Sequence, residues 1–273
     1  MGGRILKLIN SIKCGFVFCL LMSISIFTSK SYSNEEIQFD RPITRRITLG
    51  ANHYWVLLPN SFQLHKQYPI VIYLHGRKYG PVNADRAKLH LDTSWFKNSS
   101  VLNYIVAFPA LPITSYPTWT LRDNPFIESV IQDVRRRFKQ KISPLFLAGF
   151  SAGALHSLYT GLNRMFSIDG IIAFAYGLID QRSPYLQADR SIPIFLAVGR
   201  FDYGVRANVL YSLNRLKRLS FSDVSYREYP IGHWVHDQFI KDLHKWVETR
   251  AAKILLNREL AIRNQLESRR NTP

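Results

Sequence analysis

Residues 149–153 read Gly-Phe-Ser-Ala-Gly, a G-x-S-x-G pattern whose flanks restrict the backbone more than any other stretch of the chain. Ahead of it lies a short apolar run (Ile142, Leu145, Phe146, Leu147, Ala148) of the length expected for a buried strand. Behind it, Ala152, Leu155, Leu158, Tyr159 and Leu162 recur at helical spacing. A strand that enters a helix through one tight turn strains the residue between them, and only small neighbours permit it. Gly149 and Gly153 therefore have a steric task. Such a turn leaves the Ser151 hydroxyl exposed at the carboxyl end of the strand, with a helix amino terminus behind it. The expectation is a nucleophile elbow, against an ordinary structural turn.

The rest of the chain alternates in the same way. Ile47 to Leu49 and Tyr54 to Leu58 read as an antiparallel pair joined through Gly50 and Asn52 and closed by Pro59. Uninterrupted apolar runs at Pro69–Leu74, Tyr104–Phe108, Ile171–Tyr176 and Pro193–Val198 have the pattern of strands buried on both faces, and Ser225–Tyr229 reads as a last strand. Asp123-Asn124-Pro125 starts a helix carrying Phe126, Val130, Ile131, Val134 and Phe138. Ala207 to Leu219 reads as another, and Phe239, Ile240, Leu243, Trp246 and Val247 give a closing amphipathic one. Strands alternating with helices predict a mainly parallel sheet covered on both faces. Two leading strands, then strand–helix units with the elbow after the fifth strand, give the α/β-hydrolase arrangement. The short gap between Tyr176 and Pro193 leaves no room for a large cap domain.

The first 33 residues are read as a secretory signal. Arg4, Lys7 and Lys13 lead an uncharged run from Cys14 to Phe27, and Ser31-Tyr32-Ser33 offers small residues for cleavage after Ser33. The run is short for a bilayer span, which needs about 20 residues. Cys14 and Cys19 are the only cysteines, so a cleaved chain has no disulfide, thiol nucleophile or cysteine ligand. The expected domains are a signal at 1–33, one catalytic domain at 34–249 and a polar tail at 250–273, read as a solvated helix extension with a frayed end.

The formal charge is +17, and losing the leader's four cations (Arg4, Lys7, Lys13, Lys30) leaves +13. In an exported protein such a balance points to anionic membrane or envelope surfaces, or to diffuse solubilising charge. No zinc-ligand pattern, RNP-like aromatic stretch or heptad-linked basic region supports a nucleic-acid partner. Localisation is expected to be periplasmic or secreted.

A serine hydroxyl is a poor nucleophile until a histidine accepts its proton, and that histidine needs a carboxylate to fix its tautomer. In this arrangement the chain order is serine, acid, histidine. Of the eight histidines, His233, His236 and His244 follow the elbow and its helix. His233, directly after the final strand, is favoured. His236 is read as the start of the last helix and His244 as lying inside it. Asp202, at the carboxyl end of the penultimate strand, is the expected acid, with Asp180 the alternative. Two N–H donors are needed for the oxyanion. Ala152 should supply one and Arg77 the other, in the loop His75-Gly76-Arg77 after the third strand, where His75 is read as a structural brace.

Over residues 45 to 250 these stretches together resemble the polyhydroxybutyrate depolymerase and feruloyl esterase group of α/β-hydrolases, the LpqC-like esterases. Tyr54–Pro59 is similar to that group's strand ending in proline, Leu74-His75-Gly76 to its oxyanion loop, and Asp123–Phe138 to the helix before its elbow. Gly199–Val205 is similar to its D-x-x-V acid motif, and Ile231-Gly232-His233-Trp234 to its G-G-H-x-W motif. The resemblance implies nucleophile, acid and base roles for Ser151, Asp202 and His233. The sequence departs from the group at Arg77, Ala154, Ile231 and Trp234, and the substrate does not carry over.

The expected activity is that of an exported serine esterase working by acyl transfer, with no metal or organic cofactor. A serine peptidase, a lipase or phospholipase, and an inert surface-binding scaffold are the alternatives. Substrate-binding residues are not assigned. Tyr79, Trp119, Tyr203 and Trp234 are read as loop aromatics able to line a pocket or simply to pack, and Phe150 as packing beneath the elbow.

Overall fold

The chain is described by a computed structural model covering residues 43–77, 85–112, 117–178 and 189–270. The leader with its cleavage position, Tyr79 and Asp180 lie outside these residues. Among the described residues eight strands form one sheet in the order β1-β2-β4-β3-β5-β6-β7-β8. They are β1 (Ile43–Leu49), β2 (Asn52–Leu58), β3 (Ile70–Leu74), β4 (Ile105–Pro109), β5 (Leu145–Phe150), β6 (Gly170–Phe174), β7 (Ile194–Gly199) and β8 (Val224–Tyr229). β1 pairs antiparallel with β2, Leu49 opposite Asn52 across a turn at Gly50 (φ 59°), and β2 pairs antiparallel with β4. Every later pairing is parallel.

The unbroken apolar runs become the inner strands because both of their faces are covered. Val71, Tyr73, Phe146, Ala148 and Phe174 point into one core layer with Trp95, Phe239 and Trp246. Ile70, Ile72, Leu145 and Leu147 point the other way, onto the helix face of Ile127, Val130 and Val134. Ile171, Ala173, Leu196 and Val198 share that second side with Leu158 and Leu213. Edge strand β1 carries Arg45 and Arg46 outward, as a sheet edge should.

The helices are α1 (Arg86–His90), α2 (Asn124–Arg137), α3 (Ala152–Leu162), α4 (Tyr203–Arg218) and α5 (Asp237–Arg270). α1 continues through a π turn, Leu91–Trp95, and a 3-10 turn, Phe96–Val101. α2 begins where expected, behind a reciprocal capping box between Thr120 and Asp123. α4 begins four residues before the expected Ala207, immediately after Asp202.

α5 runs without a break through the expected tail boundary at 249/250. Its first half packs Phe239, Ile240, Leu243, Trp246 and Val247 into the core, and past residue 249, where the apolar stripe thins, ion pairs hold it near the amino ends of the strands. Arg250 pairs with Asp223 at 2.5 Å, just ahead of β8. Arg258 pairs with Asp169 at 2.6 Å, just ahead of β6, and also donates to the Ile142 carbonyl.

Candidate active site

Ser151 joins β5 to α3 with φ 53° and ψ −116°, a left-handed backbone that a serine adopts only where its surroundings impose it. The surroundings are backbone. A Cβ on Gly149 would sit 2.2 Å from the Gly153 carbonyl carbon, and one on Gly153 would sit 2.0 Å from the Leu74 carbonyl oxygen. β5, α3 and β3 therefore meet too closely for any side chain at either glycine. The Ser151 N–H donates to the Phe174 carbonyl of β6 at 2.8 Å, and its carbonyl accepts from Leu155 to start α3. Its hydroxyl caps nothing and turns outward.

The hydroxyl meets His233. Nε2 of that ring lies 3.0 Å from Ser151 Oγ, and Nδ1 lies 2.5 Å from Asp202 Oδ2. A carboxylate can only accept, so Nδ1 carries the proton and Nε2 is left to accept from the serine O–H. Neighbouring loops hold the pair. The Arg200 and Phe201 amides donate to the Tyr229 and Ile231 carbonyls at 2.7 and 2.9 Å. A Cβ on Gly199 would sit 2.3 Å from the Gly232 oxygen, so the acid loop and the histidine loop lie in direct backbone contact. Beneath the imidazole lies Phe150, its ring centroid 4.9 Å away and its other contacts with Phe174 and His90. Phe150 is buried, which fits its expected place under the elbow.

The loop after β3 reaches the same point. A Cβ on Gly76 would lie 3.0 Å from the Phe150 ring and 3.4 Å from the Ser151 Cβ, so this loop runs against the nucleophile, with Arg77 next in line. Ala152 opens the eleven-residue α3, where backbone N–H groups have no intrahelical acceptor. Anionic charge developing at Ser151 would thus form at the positive end of a helix.

The other histidines have different work. His75 is buried, accepts from the Leu111 N–H at Nε2 (3.2 Å) and faces the Gly76 carbonyl through Nδ1 (2.6 Å), which makes Nδ1 the protonated nitrogen. It braces the loop, as its sequence position suggests. Burial depresses His90 to about 3 and His156 to about 4, so both are neutral, and they bond to the Tyr73 hydroxyl and to Asn124. His236 accepts from the Gln238 N–H at the start of α5, and His244 pairs with Glu248 within that helix. Neither bonds to Ser151.

Among the loop aromatics, Trp119 is buried and donates its indole N–H to the His75 carbonyl at 2.9 Å. It supports the β3 loop and lines no open surface. Tyr203 and Trp234, neighbours of Asp202 and His233, are exposed, as is Phe201. Sequence reasoning gave no signal for the Phe174 carbonyl that anchors Ser151 or for the Phe150 contact under His233, because both depend on which strands become neighbours. Among the described residues no group of three His, Cys, Asp or Glu is placed to hold a metal ion.

This architecture recurs in solved structures of low sequence identity. A fluorophosphonate-binding serine hydrolase from Staphylococcus aureus, FphF, aligns with a TM-score of 0.58 at 17% identity, covering 77% of this chain and 98% of that one. A feruloyl esterase module from Clostridium thermocellum, complexed with sinapinate, aligns at 0.56 and 17% identity over 83% and 91% of the two chains. The S-formylglutathione hydrolase FrmB from Staphylococcus aureus aligns at 0.56 and 14% over 76% and 98%. The chain has the α/β-hydrolase fold. Within this α/β-hydrolase, residues 124–251 match the sequence model of the phospholipase/carboxylesterase family, a stretch from the start of α2 into α5 that contains Ser151, Asp202 and His233. Acyl-protein thioesterase 1 of Aspergillus fumigatus is 28% identical over 120 residues, 40% of this chain and 48% of that one. The match thus spans about half the length of that curated relative.

Proposed function

We propose that this chain is an exported serine hydrolase that cleaves carboxylic esters, thioesters included, through a covalent acyl-enzyme. The observation that carries the reading is His233, with one ring nitrogen on Ser151 and the other on Asp202. Nε2 accepts the Ser151 proton as Oγ attacks the acyl carbon. The resulting imidazolium is held against the Asp202 carboxylate. The carbonyl oxygen gains charge beside the amino end of α3, where the Ala152 N–H and the Arg77 N–H are the proposed donors. His233 then returns its proton to the leaving alcohol or thiol. Water repeats the sequence in reverse and frees the acid.

The extension to thioesters is favoured by the likeness to an acyl-protein thioesterase over 120 residues. A polyhydroxyalkanoate-, feruloyl- or short-acyl-ester substrate follows from the motif resemblance together with the esterase neighbours. Export rests on the reading of residues 1–33 as a leader. The test is turnover of p-nitrophenyl acetate, butyrate and octanoate, and of an acyl thioester, by the native chain and by Ser151→Ala. Turnover that disappears in the variant is expected. Turnover that persists there overturns the mechanism, and none in the native chain overturns the activity.

A further inference from the structure

The connection from β3 to β4 carries an arginine beside the elbow that the proposed mechanism does not use. α1 begins at the carboxyl end of the sheet. Its cap, Asp85, accepts through Oδ2 from the Trp55 indole at 2.7 Å and from His53 Nε2 at 2.8 Å. Trp55 pairs with Phe108 near the end of β4, and the His53 carbonyl accepts from the Ala110 N–H just beyond it. From there the chain descends to Ile105, where β4 starts. Arg86, the first residue of α1, therefore lies at the Ser151 end of the sheet, with His90 one turn below it. The strand order β2-β4-β3-β5 gives α1 two flanks. On one, Lys88 lies over the Trp55 ring of β2 at 5.1 Å. On the other, His90 meets the Tyr73 hydroxyl of β3 at 3.1 Å and the Phe150 ring of β5 at 5.4 Å. Arg86, four residues before His90, shares this second flank.

The same Phe150 ring lies 4.9 Å from His233 and against Gly76 of the loop after β3. α1, that loop and the histidine loop thus meet around one aromatic ring under the nucleophile. The Arg86 charge reaches this point: burial first, then His75 and Arg86, hold the neighbouring His90 down to about 3. The nearby acids are occupied elsewhere. Asp85 is taken by His53, Trp55 and the Lys88 N–H, and Asp92 by the Lys88 side chain. Arg86 makes no ion pair or hydrogen bond among the described residues. Its side chain is partly buried, with Nε shut off from solvent and no acceptor for it, while the Nη end stays reachable. A guanidinium held this way has lost part of its water without a protein acceptor in its place.

We infer that Arg86 receives a carboxylate carried by the substrate, so that the enzyme prefers esters with an acid group a few bonds from the scissile carbonyl. The inference rests on the esterase reading of Ser151. The two Nη groups of a guanidinium present donors side by side in one plane, which matches the two oxygens of a carboxylate. One positive charge also matches the single negative charge of that group.

The consequence is selectivity by charge. A site with a partly dehydrated donor rejects an analogue that cannot pair with it more strongly than a pocket separates alkyl chains differing by one methylene. Arg86 acts as a specificity residue and transfers no proton. The carboxylate can belong to the acyl group or to the leaving group, and the substrates below separate the two.

The test compares two pairs of esters with the full chain. p-Nitrophenyl hydrogen adipate and p-nitrophenyl hexanoate differ by a carboxylate on the acyl group, and 4-acetoxybenzoate and 4-acetoxybenzamide by one on the leaving group. In at least one pair the charged ester should have a kcat/KM about ten-fold or more above its neutral partner. Arg86→Gln should abolish that ratio. Arg86→Lys, which keeps the charge and loses the paired donors, should lower it several-fold. Lys88→Gln, on the other flank of α1, should keep the native ratio, and thermal melts check that each variant is folded. Equal turnover within both pairs by the native chain overturns the proposal and leaves the esterase reading standing. A preference that survives in folded Arg86→Gln overturns it too. If no ester is turned over, the esterase reading fails, and titration calorimetry with the corresponding uncleaved anilides decides the carboxylate site by itself. Tighter binding of a charged anilide, lost in Arg86→Gln, upholds it, and equal binding within both pairs overturns it.

Discussion

Ser151 and Asp202 occupy equivalent positions, each the residue immediately before a helix, and neither side chain caps the helix it precedes. Serine and aspartate are among the best capping residues, worth about 1 kcal/mol each in that role. Here both side chains instead converge on the two nitrogens of His233. Local helix stability is given up for a three-residue constellation, which is the kind of local rule-breaking expected at a functional site.

Replacement of Asp202 by Asn follows directly. An amide can donate to Nδ1 and so stabilises the wrong imidazole tautomer, leaving Nε2 protonated and unable to accept from Ser151. The expected loss in kcat is about four orders of magnitude. Because Asp202 caps nothing, the thermal midpoint should move by no more than about 2 °C. Steady-state kinetics and a thermal melt on the same preparation check both halves.

The elbow glycines should behave unlike Gly204. Gly153→Ala puts a Cβ against the Leu74 carbonyl, and Gly149→Ala puts one against the Gly153 backbone, where no side chain can move aside. Each should cost about 3 kcal/mol or more and abolish activity. Gly204→Ala, where nothing lies within 4 Å of the added carbon, should be neutral or stabilising by up to about 1 kcal/mol. Urea midpoints of the three variants order them.

Loss of His75 should weaken the fold and activity without removing the base. In His75→Ala the buried Leu111 N–H loses its acceptor, costing about 1–3 kcal/mol. The loop carrying Gly76 and Arg77 is then less well held, so kcat should fall while reactivity of Ser151 toward a fluorophosphonate persists. A His75→Ala chain that is fully stable yet wholly unreactive would contradict its role as a brace.

The alternation of strands and helices, the elbow and all three members of the site could be read from the sequence because each depends on local chemistry. Unbroken apolar runs mark β3 to β7, chain order narrows the base to His233, His236 and His244, and of these His233 directly follows the final strand. What could not be read depends on distant partners. The stretch from Arg86 to Val101 changes helical type twice, so it never sustains a 3.6-residue period, and its cap Asp85 is shared with His53 and Trp55 of β2. The early start of α4 falls at exposed Tyr203 and at Gly204, which carry no apolar signal. α5 continues past residue 249 through ion pairs with Asp223 and Asp169, which hydrophobic periodicity does not detect.

Stability should fall on mild acidification. His90 and His156 are held neutral by burial, their folded values lowered to about 3 and about 4. An unfolded histidine titrates near 6.5, so below about pH 6.5 the unfolded chain takes up protons that the folded chain refuses. The loss grows until the folded values are reached, amounting to a few kcal/mol by about pH 5. Urea unfolding at about pH 7.5 and pH 5 should show it, and His156→Gln should flatten the dependence.

Labelling with a fluorophosphonate followed by peptide mass mapping tests the central claim most directly. The expected result is a single adduct on Ser151, absent from Ser151→Ala and formed far more slowly in His233→Ala. A folded chain that stays unlabelled at Ser151, or carries the adduct on another residue, would contradict the account.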